Sequence, residues 1–85
     1  MSVVLPTWFK GRQGKAEPVG ENLLKLAGPN LVEGYVGIRQ ANGGWHAFVR
    51  ARADAADVEA SSIPLPSSYE AWEAAFELFR RHFVV

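Results

Sequence analysis

Between Leu31 and Arg39 the chain alternates: Val32, Gly34, Val36 and Ile38 share one parity, and Glu33, Tyr35, Gly37 and Arg39 the other. A period of two predicts a strand with one buried face. The pattern breaks at Ala41-Asn42-Gly43-Gly44, where Asn-Gly is the favoured pair for a two-residue type I′ hairpin turn because both central residues need positive φ. Counting outward sets Ala41 opposite Gly44, Gln40 opposite Trp45, Ile38 opposite Ala47 and Val36 opposite Val49. The other parity pairs Arg39 with His46, Gly37 with Phe48, Tyr35 with Arg50 and Glu33 with Arg52. One face is apolar, and the other gathers arginines, a histidine and aromatic rings. A three-residue loop would put Phe48 opposite Ile38 and Arg50 opposite Val36, mixing both faces, so the pattern rejects that slip.

Towards the carboxyl end the period changes. Tyr69, Trp72, Phe76, Phe79 and Phe83 recur at three-and-four spacing, which predicts a helix from about Ser68 to Phe83 with its aromatic stripe on the Val36, Ile38, Ala47, Val49 face. Glu70, Glu73, Glu77 and Arg81 share the opposite side in the favourable Glu-to-Arg order. Ser67 followed by Glu70 reads as a capping box.

The remaining segments are shorter. Val3, Val4, Leu5, Trp8 and Phe9 around Pro6 read as an extended apolar arm or edge strand, and Lys10 to Gly20 as a loop rich in glycine and charge. Glu21 to Ala27, ENLLKLA, stops at Gly28-Pro29; without a β-branched residue it is expected as a short helix, with a strand leading into the Gly-Pro-Asn turn as the alternative. Ala51 to Ala56 reads as a connection, and Val58 to Leu65 as a third strand ended by Pro64 or Pro66. The expected fold is α+β: a three- to four-stranded antiparallel sheet, a meander containing the Asn-Gly hairpin, packed on one C-terminal amphipathic helix. Residues 1–85 form a single domain, with 1–20 as arm and loop and 31–85 as sheet plus helix.

Eighty-five residues hold one core, and a domain of this size needs most of its three Trp, five Phe and two Tyr for packing. Cysteine is absent, which removes disulfides, thiolate nucleophiles and sulfur-rich zinc sites. Nine basic side chains balance nine acidic ones, so no global field draws the chain to a phosphate backbone or an anionic membrane. No apolar run reaches the ~20 residues of a membrane span, and the start lacks the pattern of a secretory signal; the expectation is a cytoplasmic protein with no membrane partner.

Catalysis finds little support in the pattern. His46 and His82 stand far apart, and no serine or acid has a spacing that suggests a triad or a metal set. Asn42-Gly43-Gly44 lacks the lysine and the strand-to-helix context of a phosphate loop. His82 is expected to complement the carboxyl end of its helix. The chain is accordingly expected to be non-enzymatic, with no metal or cofactor.

Tyr35-x-Gly37-Ile38-Arg39-Gln40, the glycine turn, Trp45-x-Ala47-x-Val49-Arg50, and the later Glu70-Ala71-x-x-Ala74-Ala75-x-x-Leu78-Phe79 together resemble the APETALA-type, ethylene-response-factor DNA-binding domain and the similar arm-binding domain of phage integrases. The resemblance spans about residues 31–81. It implies a three-stranded antiparallel sheet backed by one helix, with the face away from the helix lying in a DNA major groove. Two of the family's arginines fall on Arg39 and Arg50. Another arginine and a tryptophan near the turn are replaced or deleted around Ala41 to Gly43, an acidic position is Phe48, and the third strand offers Glu59, Ser61 and Ser62 where the family has arginine and tryptophan.

Two functional expectations follow for the same face. The first is nucleic-acid binding through Arg39, His46, Arg50 and Arg52, with Tyr35 and Phe48 as apolar or stacking contacts. The second is a protein-interaction or homo-oligomeric module, because Arg, Tyr and Phe are also what anchors protein interfaces. In the second, Trp8 and Phe9 of the arm cover the Tyr35 and Phe48 face of their own chain or of a second copy. Leu31 to Val85 carries five arginines against seven carboxylates, the opposite of a basic groove binder.

Overall fold

The computed structural model describes residues 5–29, 31–41 and 43–84. It contains a short helix α1 (Thr7–Gly11), five strands β1 (Lys15–Gly20), β2 (Leu23–Gly28), β3 (Leu31–Ala41), β4 (Gly44–Arg50) and β5 (Asp57–Ala60), and a long helix α2 (Ser68–Phe83). The strands form one antiparallel meander in the order β1-β2-β3-β4-β5, so each pairs only with its neighbours in sequence. The class is α+β as expected, with five strands where three or four were anticipated. Among the described residues no helix is long and apolar enough to cross a membrane.

The hairpin keeps the register counted from the sequence: Ala41 opposite Gly44, Ile38 opposite Ala47, Val36 opposite Val49, Arg39 opposite His46, Gly37 opposite Phe48 and Tyr35 opposite Arg50. Asn42 of the turn lies outside the described residues, and Gly43 has the positive φ, 91°, that such a turn requires. Val36, Val49 and Ala47 are fully buried, while Trp72, Phe76 and Phe79 of α2 close over them. Each large side chain sealed in this way contributes about 1.5 to 3 kcal/mol of burial free energy. Gly34 lets the helix approach: a Cβ there would stand 2.9 Å from the Phe79 ring. Ser67 Oγ accepts from Glu70 N–H at 3.2 Å, so the serine half of the expected capping box is formed and α2 begins where the sequence sets it.

Several expectations are corrected. Residues 23–28 are a strand, not a helix: Leu24 and Leu26 pair with Val36 and Gly34 and bury towards α2. Their helix propensity, a few tenths of a kcal/mol per residue, is smaller than what a buried place between two strands contributes. Lys15 to Gly20 is likewise a strand rather than part of a loop, joined to β2 through Glu21 and Asn22, the latter at φ 58°. Pro18 on this outermost strand withholds a ladder donor and blunts the edge. Val32 is exposed although its parity suggested burial, because the β2–β3 register shifts between Leu26 and Gly28. Tyr69 opens α2 and is also exposed, outside the aromatic stripe. The expected third strand, β5 here, ends at Ala60; beyond it Ser61 N–H still donates to the Ala47 carbonyl at 2.8 Å, and the chain returns to β4 at Leu65, whose N–H and C=O exchange bonds with Trp45 at 2.8 and 2.9 Å.

The arm expectation changes most. Val3 and Val4 lie outside the described residues, but Trp8 and Phe9 belong to α1 and not to an extended arm. Phe9 is fully buried on the helix side of the sheet, edge-on to Phe76 with ring centroids 5.4 Å apart and to Phe79 at 6.5 Å. It therefore completes the core and leaves the opposite, Tyr35 and Phe48 face uncovered by this segment.

Candidate binding face on the open side of the sheet

Helices cover one side of the sheet, so the other side is set by strand register alone. Cross-strand partners share a face, which places Lys15, Glu17, Lys25, Glu33, Tyr35, Arg39, His46, Arg50 and Asp57 on the open side. Four of these are cations and three are carboxylates, so this face carries a formal excess of one positive charge. Arg39, His46, Arg50, Tyr35 and Phe48 are brought together as the sequence implied. Arg52 is not: the β3–β4 ladder ends at the Tyr35–Arg50 pair, and Arg52 lies exposed in the bend that follows.

Phe48 is the centre of the cluster. Although its side chain is on the open face, it retains only 6% exposure. Three neighbours account for that. Gly37, directly opposite, has no side chain, and the Phe48 ring occupies the space where one would be. The guanidinium carbons of Arg39 and Arg50 stand over the ring at 4.3 and 4.6 Å from its centroid, within cation–π range. The two arginines thus cover an aromatic ring that the sequence left as an exposed contact.

Asp57 of β5 holds both arginines. Its Oδ2 accepts from Arg39 Nη2 at 2.8 Å and its Oδ1 from Arg50 Nε at 2.8 Å, while Arg50 Nη1 donates to the Ala53 carbonyl at 3.1 Å. Asp57 was absent from the residues singled out by sequence. The available signal was its position: an acid at the start of a meander strand is carried beside the residue that ends the strand before it, here Arg50 of β4.

His46 is occupied by structure rather than by chemistry. Its Nδ1 donates to the Ser61 carbonyl at 3.3 Å, and Ser61 Oγ accepts the Ala47 N–H at 2.9 Å, so the residue following β5 completes the ladder through its side chain. On the helix side of β5, Glu59 accepts from His82 Nε2 at 2.6 Å and from Arg81 Nη1 at 3.1 Å. The His82 hydrogen bond and the Arg81 and His82 charges hold the Glu59 carboxyl below its ordinary range. His82 was expected to serve its helix end and Arg81 to pair with Glu77; both turn instead to β5, and Glu77 meets Arg80 at 3.5 Å.

A groove of about 370 Å³ at the carboxyl end of α2 is lined by Arg12, Glu77, Arg80, Arg81 and Val84, and its arginines from α2 are those already paired with Glu77 and Glu59. Among the described residues no three His, Asp or Glu side chains group in the manner of a metal site. Comparison with protein-family models, with curated proteins and with solved structures finds no match to this chain.

Proposed function

We propose that this chain is a small non-enzymatic binding module that works through the open face of its sheet, with Arg39, Phe48 and Arg50 at the centre and another protein as partner. The observation that carries this reading is the stacking of both guanidinium groups on Phe48, with Asp57 bridging them and offsetting one of their two charges. Arginine and aromatic side chains held in fixed positions, with little net charge, have the make-up of a protein-interface anchor. A phosphate-binding face would derive its affinity from several unneutralised cations, and this face has an excess of one.

Cross-linking in a lysate of the source cells tests the reading, since Lys15 and Lys25 lie on the open face and Lys10 on α1. Links to one partner through Lys15 and Lys25, lost in Arg39→Ala/Arg50→Ala at unchanged fold, are expected. Links through Lys10 alone would place the contact elsewhere.

One observation favours nucleic acid as a second reading. Arg39 and Arg50 stand on the face turned from the helix, as the APETALA-type resemblance requires of its groove-contacting arginines. Under that reading labelled duplex or single strands bind at low salt, and Arg39→Ala flattens the salt slope by about one charge.

A further inference from the structure

We propose that Arg39 and Arg50 form a carboxylate-binding site, filled in the free chain by its own Asp57, that accepts an Asp or Glu side chain of the protein docking on the open face. This rests on the protein-binding reading above and names the chemistry by which the partner is recognised.

Asp57 itself shows what the two arginines accept. One carboxylate bridges both guanidinium groups at 2.8 Å, yet it takes a single N–H from each. A guanidinium presents five N–H donors and binds carboxylates best through two parallel bonds. Arg39 makes one hydrogen bond among the described residues, and its side chain is 48% exposed. An incoming carboxylate therefore meets an unused fork on Arg39, already oriented by the Phe48 ring beneath it.

The carrier of Asp57 is also the least anchored strand. β5 has four residues, pairs with β4 at three positions across a register shift, and exposes Val58 and Ala60 to solvent. On its other side it is tied by Glu59 to Arg81 and His82, again by ion pairs at the surface. Of the two pairs Asp57 makes, the one to Arg39 lies at the surface, where ion pairs contribute little, so a partner carboxylate with better geometry competes with it on similar terms. A single carboxylate suits this place better than a polyanion does: Lys25 beside it on the face is flanked by Glu17 on β1 and paired with Glu33, which interrupts any cationic track for a backbone of phosphates.

The test is a titration of the full chain with an end-blocked ten-residue Gly-Ser peptide carrying one Glu side chain, at low salt, followed by amide NMR. Asp57→Asn keeps the shape and removes the competing charge; it is expected to lower the Kd for the peptide at least fivefold, with shifts centred on Arg39, Phe48 and Arg50. Adding Arg39→Lys retains the cation but not the fork, and is expected to return the affinity to the wild-type value. The proposal is overturned if Asp57→Asn binds the peptide no better than wild type while its spectrum stays folded. It is equally overturned if the gain persists after Arg39→Lys is added, or appears for a single-stranded oligonucleotide and not for the peptide. Failure of the protein-binding reading registers separately, as absence of the Lys15 and Lys25 cross-links in the wild-type chain.

Discussion

The ring of Phe48 lies over Gly37 on the neighbouring strand, in the volume that any side chain at that position would fill. A Cβ on Gly37 would also stand 2.7 Å from the Asn22 carbonyl oxygen, so neither the ring nor the β1–β2 turn leaves room. Gly37→Ala is therefore expected to destabilise the domain by about 1 to 3 kcal/mol, the usual cost of overpacking. It should also displace Phe48 from under Arg39 and Arg50. Urea denaturation gives the first quantity, and the ring-current shifts of the arginine side chains give the second.

Phe9 reaches the core from a five-residue helix that has little stability of its own. Its burial against Phe76 and Phe79 fixes α1 to the domain. Phe9→Ala is expected to cost about 3 to 5 kcal/mol, a large part of the stability of an ordinary small domain. A thermal melt unchanged within experimental error would show that α1 is an ornament and not a part of the core.

Ser61 Oγ accepts the Ala47 N–H where a strand would use a backbone carbonyl. Ser61→Ala leaves that part-buried donor without its partner, at an expected cost of about 1 to 3 kcal/mol. Hydrogen exchange at Ala47 should accelerate relative to Val49 if the bond is local, and this comparison is internal to each sample.

Glu59 provides the pH dependence. The His82 hydrogen bond, followed by the Arg81 and His82 charges, keeps its folded-state pKa below the ordinary 4.5. A carboxyl depressed on folding contributes stability that is full above the unfolded pKa and disappears as pH falls through the folded one. Stability is therefore expected to fall on acidification below 4.5, and less steeply in Glu59→Gln. Denaturant unfolding at a series of acidic pH values makes the comparison.

Elements specified by contacts close in sequence were legible from the residues alone. Asn42-Gly43 and the alternation on either side of it set the β3–β4 register, because a slip of one residue would turn every apolar side chain to water. Ser67, Glu70 and the Trp72, Phe76, Phe79 stripe set α2 for a similar local reason, since cap and period coincide. Leu23 to Gly28 shows where local reading fails: its residues favour a helix, and only the vacant edge of β3 with the burial of Leu24 and Leu26 makes it a strand. The open face divides in the same way. Arg39, Phe48 and Arg50 belong to one hairpin, and their shared face was fixed by counting. Asp57 joins them across the β4–β5 pairing, 18 residues from Arg39, and Phe9 reaches α2 from the far end of the chain. Those two contacts leave the aromatic surface with a single excess positive charge and turn an apolar arm into core, and no local pattern encodes them because their partners meet only after the sheet is assembled.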